Sequence, residues 1–352
     1  MNRARWSMAQ VCVILLLIAT GTVYAAGGDG AFNMEHCLIP PRLIVSGGPP
    51  KDGIPALTNP KVLPAGQAGY LRPGDMVVGV QVGQAARAYP HRVLVWHENV
   101  NDTLGGTPIA VSYCPLCNSA VVFNRRVGGE VREFGISGML FNSNVLLYDR
   151  QGDPDKESLW SQLQMRAVCG PAAEERMRLE ALPSEMVRWE DWRRRHPQTT
   201  VLSPDTGWSR DYGSNPYAGY FKTEEIMFPV TATTRQLRGR SNKELMVIVR
   251  TNGRVKAWAV PDVAKSAGEN GTFTDTLGNV KLRFHWNAGD GTVRVESADG
   301  RQKIAVAYSF WFAWRSMYSD APVYRPGRGK KASGSASKEG QKSQSGTKQS
   351  GQ

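Results

Sequence analysis

The sequence predicts a β-rich α+β protein built from two related β-rich halves, an internal duplication packed as one globular body. Three pairs of matching segments lead to this expectation. The first pair joins MVVGVQVGQAARAYP, residues 76–90, to MVIVRTNGRVKAW, residues 246–258, with one residue of slippage after the shared glycine. Each copy is typical of a strand, a turn and a second strand.

The second pair lies further along both copies. Asp-Thr-Leu-Gly occurs at residues 102–105 and again at 275–278, and an aromatic residue, Tyr113 or Trp286, stands eleven residues after each Asp. Matching spacing over this distance favours a true repeat rather than chance.

The third pair is weaker and joins two tryptophan-containing segments. WRRRHPQTTVL begins at Trp192, and WRSMYSDAPVY begins at Trp314. We expect helices around residues 184–195 and 309–318 that carry these tryptophans into the core.

The amino-terminal residues predict export. Arg3 and Arg5 precede an apolar run from Val11 to Val23, which ends in a small-residue cleavage pattern, so residues 1–25 are predicted to be a signal peptide. The run is too short for a stable membrane-spanning helix, which needs about 20 apolar residues, and no later stretch is comparable. We therefore expect an exported protein, periplasmic or extracellular, with no membrane span.

The carboxy-terminal residues 326–352 predict a disordered basic tail. Six Lys or Arg residues and one Glu lie there in a Gly/Ser/Gln-rich background without aromatic residues, which cannot bury enough apolar surface to fold. Part of the formal charge of +12 therefore belongs to this tail. Because the predicted export signal would remove the chain from the cytoplasm and the excess charge lies partly in the tail, we expect no nucleic-acid partner.

The remaining residues divide into four segments. They are an amino-terminal extension (26–46), a first half (47–202), a connecting loop (203–230) and a second half (231–325). The loop combines Gly, Pro, Asn and Asp with interleaved tyrosines, and long ordered loops of this kind are often functional.

Four cysteines remain after removal of the signal peptide: Cys37, Cys114, Cys117 and Cys169. An even number suits an oxidising compartment, but spacing alone allows three connectivities, and the close pair can instead be reduced, metal-bound or cycling. Cys114 and Cys117 lie in a predicted hairpin turn. The second half makes the equivalent turn with Asn, Asp and Gly at residues 287–291, so the hairpin does not need cysteines to turn.

Several motifs together resemble one bacterial and archaeal family, called domain of unknown function 3179. They are GGPPKDGIPAL (47–57), ARAYP (86–90), WHE (96–98), YCPLCNSAVVF (113–123), FGISGML (134–140), YDR (148–150), ESLW (157–160) and RDYGSNPYAGY (210–220). The resemblance covers about residues 47–324 and implies no established activity. Some members resemble this chain with Thr in place of the second cysteine, which implies that Cys114 matters more than Cys117.

Three interpretations of the close cysteine pair remain open. The first is a non-catalytic role, as a turn-clamping disulfide or as two buried thiols. The second is redox or nucleophilic thiol chemistry at Cys114, with Cys117 as the resolving thiol. Since no helix amino terminus is predicted beside the pair, His97 or Arg125 would have to activate the thiolate.

The third interpretation is a metal site, because two thiolates and an imidazole suit copper or zinc. Cys114, Cys117 and His97 would supply three ligands. A closed zinc site needs a fourth ligand, and distant residues would have to provide it: His36, Cys37, Cys169, Met139 or Met165.

Further residues are predicted to line a pocket beside the cysteines: Glu98, Arg125, Asn142, Asn144, Asp149 and Trp160. The partner would be a small molecule or another envelope protein. The chain has no Gly-x-Ser-x-Gly, no phosphate-binding glycine loop and no His-Glu-x-x-His. The sequence therefore gives little support to a serine hydrolase, a nucleotide-dependent enzyme or a zinc protease.

Overall fold

The computed structural model describes residues 32–301 and 303–327. The predicted signal peptide and most of the predicted basic tail lie outside these residues.

Strands make up most of the regular structure in the described part of the chain, so the β-rich prediction is confirmed. The strands are β1 (Ile44–Ser46), β2 (Leu57–Thr58), β3 (Val62–Pro64), β4 (Met76–Val82), β5 (Ala85–Pro90), β6 (Asn99–Leu104), β7 (Thr107–Cys114), β8 (Ser119–Asn124), β9 (Arg126–Val127), β10 (Glu130–Val131), β11 (Phe134–Phe141), β12 (Asn144–Asp149), β13 (Leu159–Ser161), β14 (Arg166–Cys169), β15 (Ser184–Arg188), β16 (Thr200–Leu202), β17 (Leu245–Thr251), β18 (Arg254–Ala259), β19 (Thr272–Leu277), β20 (Val280–Asn287), β21 (Thr292–Ser297) and β22 (Val306–Phe310).

The α-helices are short. They are α1 (His91–His97), α2 (Pro171–Glu174), α3 (Trp189–Arg195), α4 (Thr234–Leu237), α5 (Val260–Ala267) and α6 (Trp311–Met317). All except α4 come directly after a strand. Short 3-10 turns occupy Pro41–Leu43, Ala65–Gln67, Pro115–Cys117, Tyr220–Lys222 and Gly268–Asn270. No helix of the described residues is long and apolar enough to cross a membrane.

A seven-stranded sheet unites the two predicted halves. Its order is β18-β17-β22-β8-β7-β6-β2, and the halves meet where Tyr308 of β22 pairs with Ala120 of β8. A five-stranded sheet, β15-β4-β5-β16-β3, lies beside it in the first half. The other sheets are β1-β11-β12-β13-β14, β19-β20-β21 and the pair β10-β9.

The two faces of the seven-stranded sheet pack into different cores. Side chains alternate between the faces of a strand, so Tyr113 of β7 joins one hydrophobic cluster and Cys114 joins the other. Both clusters contain residues from each half of the chain. The thiols and Tyr113 therefore face opposite sides of the same sheet.

The predicted hairpins formed, but one predicted helix was partly wrong. Residues 184–188 are strand β15, which pairs along its whole length with β4, and the helix begins only at Trp189. Likewise, α6 begins at Trp311 after β22. The tryptophans Trp192 and Trp314 are buried, as predicted.

Candidate functional site

Cys114 and Cys117 lie at a tight turn between two central strands. Cys114 ends β7, the 3-10 turn Pro115–Cys117 follows, and β8 begins at Ser119. Asn118 closes the turn with φ 44°, a left-handed conformation that Asn tolerates better than most residues. The turn places the two thiol side chains on the same side of the chain.

The two thiols are free, buried and close together. Cys114 is 1% exposed and Cys117 is not exposed, and their Sγ atoms are 3.4 Å apart. The carbonyl oxygen of Ser143 lies 3.6 Å from the Cys117 sulfur and 4.0 Å from that of Cys114. A carbonyl can only accept a hydrogen bond, so this environment favours protonated thiols.

A buried amide network holds Cys117. The Asn144 Nδ2 group lies 3.1 Å from the Cys117 sulfur, 3.1 Å from Ser119 Oγ and 2.7 Å from Gln162 Oε1. Gln162 in turn donates through Nε2 to Ser112 Oγ at 3.0 Å. Gln162, Ser112 and Ser119 were not predicted from the sequence, although Ser112 and Ser119 are polar residues in largely apolar strands, which was a usable signal.

The turn between β11 and β12 brings the network to the thiols. Asn142 and Ser143 both have left-handed φ angles, 53° and 60°, the type I′ pattern that suits a tight hairpin. Asn142 donates to the Ser316 carbonyl at 3.1 Å and accepts from the Thr231 backbone N–H at 2.8 Å. Asn144 therefore serves the thiol site, whereas Asn142 ties its hairpin to α6 and the segment before α4.

Burial controls the protonation of this site. Burial raises the pKa of the Cys114 thiol well above its usual range, and the adjacent Cys117 raises it further. Burial, with Cys114 close by, also raises the pKa of the Glu98 carboxyl well above its usual value. Desolvation disfavours the charged form of each group, so Cys114 is a protonated thiol at neutral pH.

His97 has other partners than the thiols. Its Nδ1 lies 2.7 Å from the Pro55 carbonyl oxygen and its Nε2 lies 2.6 Å from the Tyr212 hydroxyl. Since the carbonyl only accepts, Nδ1 carries the proton and Nε2 accepts from Tyr212. Burial lowers the pKa of His97, although the Pro55 hydrogen bond opposes this effect. Within the described residues, His97 donates to neither sulfur.

Arg125 is bound to backbone carbonyls rather than to the cysteines. Its guanidinium donates to the carbonyl oxygens of Ile109 at 3.0 Å, Arg132 at 2.8 Å and Asp102 at 3.2 Å. These bonds fix the neighbouring strands and loops.

Asp149 and Trp160 form a separate buried cluster. The Asp149 carboxylate is fully buried. It accepts from the Trp160 Nε1–H at 3.0 Å and the Ser158 backbone N–H at 2.8 Å, and pairs with Arg132. These donors satisfy the buried carboxylate, so a structural role explains why Asp149 is there.

The described residues bring no three His, Cys, Asp or Glu side chains together as a potential metal site. Two of the proposed distant ligands, Cys37 and Cys169, form a disulfide with each other. This bond ties the amino-terminal extension to β14 and removes both thiolates from any ligand set.

The connecting loop lies against the thiol turn. Tyr220 donates its hydroxyl to the Leu116 carbonyl at 2.9 Å, and Tyr212 from the same loop contacts His97. Burial raises the pKa of Tyr220, and Cys117 and Cys114 add smaller effects in the same direction. The loop therefore covers the turn that carries the cysteines.

Comparison with known proteins identifies one matching family model. It is described as a protein of unknown function, DUF3179, and matches residues 51–306. No curated protein matches this chain. No solved structure matches it either.

Proposed function

The chain belongs to the domain of unknown function 3179 family, and we propose that this member is a thiol-redox protein whose Cys114 and Cys117 alternate between two thiols and a disulfide. The separation of 3.4 Å between two free sulfurs carries the proposal. A small side-chain rotation converts this contact into a bond of about 2.05 Å.

The proposed reaction is thiol–disulfide exchange with a small disulfide. One cysteine thiolate attacks a sulfur of the substrate disulfide and releases the first substrate thiol. The second cysteine then displaces the mixed disulfide and releases the second thiol. Two thiols of the protein become one disulfide, and one substrate disulfide becomes two thiols, so atoms and electrons balance.

The contacts of the site favour different roles for the two sulfurs. Asn144 donates a hydrogen bond toward Cys117, whereas Cys114 has no side-chain amide donor among the described residues. The raised pKa of Cys114 makes it the protonated partner. Because the pair is buried beneath Tyr220, the reaction needs a small substrate or displacement of the connecting loop.

We also propose that the protein is exported. The Cys37–Cys169 disulfide supports it, because structural disulfides persist in oxidising compartments and are rare in the cytosol. The predicted signal peptide points to the same location.

A copper or zinc site is the less favoured alternative. Both ring nitrogens of His97 already have hydrogen-bond partners, Pro55 and Tyr212. The imidazole would have to give up the Tyr212 bond to reach a metal through Nε2. Formation of a disulfide between Cys114 and Cys117 leaves both His97 hydrogen bonds in place.

The test is the redox titration of the native protein in glutathione buffers. Free thiols are blocked after acid quenching, and intact mass counts them. We expect wild-type protein to lose two thiols in oxidising buffer and regain them in reducing buffer, while the Cys37–Cys169 disulfide persists.

Single variants separate the possible outcomes. Cys114→Ser and Cys117→Thr should each abolish the two-thiol transition, and Asn142→Ser, outside the amide network of Cys117, should retain it. Two thiols that stay unreacted in every buffer would overturn the redox proposal and leave a pair of buried structural thiols.

We also infer that the two halves arose by internal duplication. In each half, a cationic and an aromatic side chain of the second hairpin strand bond to one carboxylate on the next strand. The first set is Arg87, Tyr89 and Asp102, and the second is Lys256, Trp258 and Asp275. This correspondence supports a common origin for the two sets.

Strand pairing supports the same inference and refines the repeat alignment. The hairpin β4–β5 pairs Val77 with Pro90, and β17–β18 pairs Met246 with Ala259. Met246 therefore corresponds to Val77, one residue later than the sequence comparison suggested. In this alignment Cys114 corresponds to Asn287, so the thiol site belongs to the first half alone.

A further inference from the structure

A cleft of about 490 Å³ lies beside the end of strand β7, and no cysteine is among the described residues that line it. Its wall includes Tyr113, which faces away from Cys114, and Tyr212 of the connecting loop. Residues from both halves of the chain line it. The volume falls within the range of small-molecule sites, about 300–1,000 Å³.

Two opposite charges in this cleft do not pair with each other. Arg188 donates to the backbone carbonyls of Gly74 at 2.6 Å and Asp290 at 3.3 Å. The Asp290 carboxylate accepts from Asn287 Nδ2 at 2.6 Å. Among described residues, neither Arg188 nor the Asp290 carboxylate has an ion-pair partner within 4 Å. Both charges are therefore free to meet a ligand.

A second pair of opposite charges in the cleft is already bound to each other. Arg92 and Asp75 also line the cleft, but they lie 2.7 Å apart and neutralise each other. The cleft thus offers a ligand one cation, Arg188, and one anion, Asp290.

His91 adds an unused polar atom to the same wall. Its Nε2 is buried and has no hydrogen-bond partner among the described residues, while its ring packs 4.5 Å from that of Tyr113. A buried polar atom without a partner is costly, and a ligand in the cleft would supply one.

The rest of the wall combines apolar side chains with the polar residues Asn118, Ser214 and Asn215. Its apolar side chains are Met76, Val95, Met186, Phe221 and Leu245. Ligand sites commonly combine an apolar wall with a few polar groups that fix orientation.

We propose that this cleft binds a free amino acid with a large apolar side chain. The ligand carboxylate pairs with Arg188, its ammonium group pairs with Asp290, and its side chain lies against Phe221 and the apolar wall. Charge-assisted hydrogen bonds of this kind are stronger than neutral ones. The inference is independent of the redox function, because neither cysteine is among the described residues that line the cleft.

Calorimetric titration of the full chain with three matched compounds tests the proposal. L-phenylalanine carries both charges, 3-phenylpropionate carries only the carboxylate, and phenethylamine carries only the ammonium group. We expect L-phenylalanine to bind about tenfold or more tightly than either single-charge compound. Equal affinities for all three, or no saturable binding of L-phenylalanine at millimolar concentration, would overturn the proposal.

Two variants test which residue binds each charged group of the ligand. Arg188→Gln should weaken L-phenylalanine and 3-phenylpropionate by about tenfold or more but leave phenethylamine unchanged. Asp290→Asn should weaken L-phenylalanine and phenethylamine but leave 3-phenylpropionate unchanged. Arg315→Gln removes a half-buried arginine outside the cleft and should change none of the affinities.

The comparison of the three compounds uses wild-type protein, so it decides the proposal even if Arg188→Gln fails to fold. Circular dichroism checks the fold of each variant. Wild-type affinity for L-phenylalanine in both folded charge variants would also overturn the assignment.

Discussion

His91 should make the protein sensitive to mild acid. Burial lowers the pKa of His91 from its ordinary 6.5 to about 3, and the nearby Arg188 contributes in the same direction. The imidazole is therefore neutral in the folded protein at a pH where the unfolded chain already binds a proton. Protonation of the unfolded state then favours unfolding, so stability from this group is complete above about pH 6.5 and is lost as the pH falls toward 3.

The size of the effect follows from proton linkage. Each pH unit between the two pKa values changes the free energy of unfolding by about 1.4 kcal/mol. Lowering the pH from about 6.5 to about 5 should therefore cost at most about 2 kcal/mol through His91. Burial also lowers the pKa of His196, to about 4, and that of His97. These two histidines therefore also contribute to the loss of stability as the pH falls.

The variant His91→Phe isolates this contribution, because Phe keeps a ring against Tyr113 but cannot be protonated. Urea unfolding at about pH 7 and about pH 5 gives the loss of stability for each protein. We expect His91→Phe to lose about 1–2 kcal/mol less than wild type over this interval.

His36→Phe is the matched control, since the His36 side chain is 50% exposed. It should show the acid loss of wild type. An acid loss in His91→Phe equal to that of wild type would refute the argument that a neutral, buried His91 opposes protonation.

Two further predictions concern the disulfide and the carboxyl beside the thiols. Replacing Cys37 and Cys169 together by Ser should lower the free energy of unfolding by about 2–5 kcal/mol, because the bond closes a long loop of the unfolded chain; an unchanged urea midpoint would contradict this. The raised pKa of Glu98 means that the folded protein keeps a proton that the unfolded chain releases, so stability falls as the pH rises above about 4.5. Glu98→Gln should reduce this fall by at most about 1.4 kcal/mol per pH unit, which thermal unfolding at about pH 5 and about pH 7 measures; a fall equal to that of wild type would contradict the prediction.

The hairpins could be predicted from sequence because their signals are local. Gly83 and Gly253 mark the turns of two predicted hairpins, and both formed. Strand β15 was missed because its character depends on pairing with β4, a segment about 100 residues earlier. Such non-local pairing overrides the local pattern that favoured a helix.

The candidate site also combines a local feature, which could be predicted, with a contact between distant segments, which could not. Cys114 and Cys117 could be recognised because a spacing of three residues in a tight turn already restricts how far two sulfurs can separate. Gln162 joins Asn144 only after β12 and β13 pair. No local pattern predicts that contact.

The sequence by itself determined the strand-rich character, the two hairpins with turns at Gly83 and Gly253, and the close cysteine pair, since each depends on residues only a few positions apart. The tertiary structure alone decided that Cys37 bonds Cys169, that His97 contacts Tyr212 rather than the thiols, and that Arg188 and Asp290 share a cleft. These contacts join residues roughly 100 or more positions apart. These contacts form only when whole sheets pack, because burial of the complete core must offset the conformational entropy lost in closing such long loops.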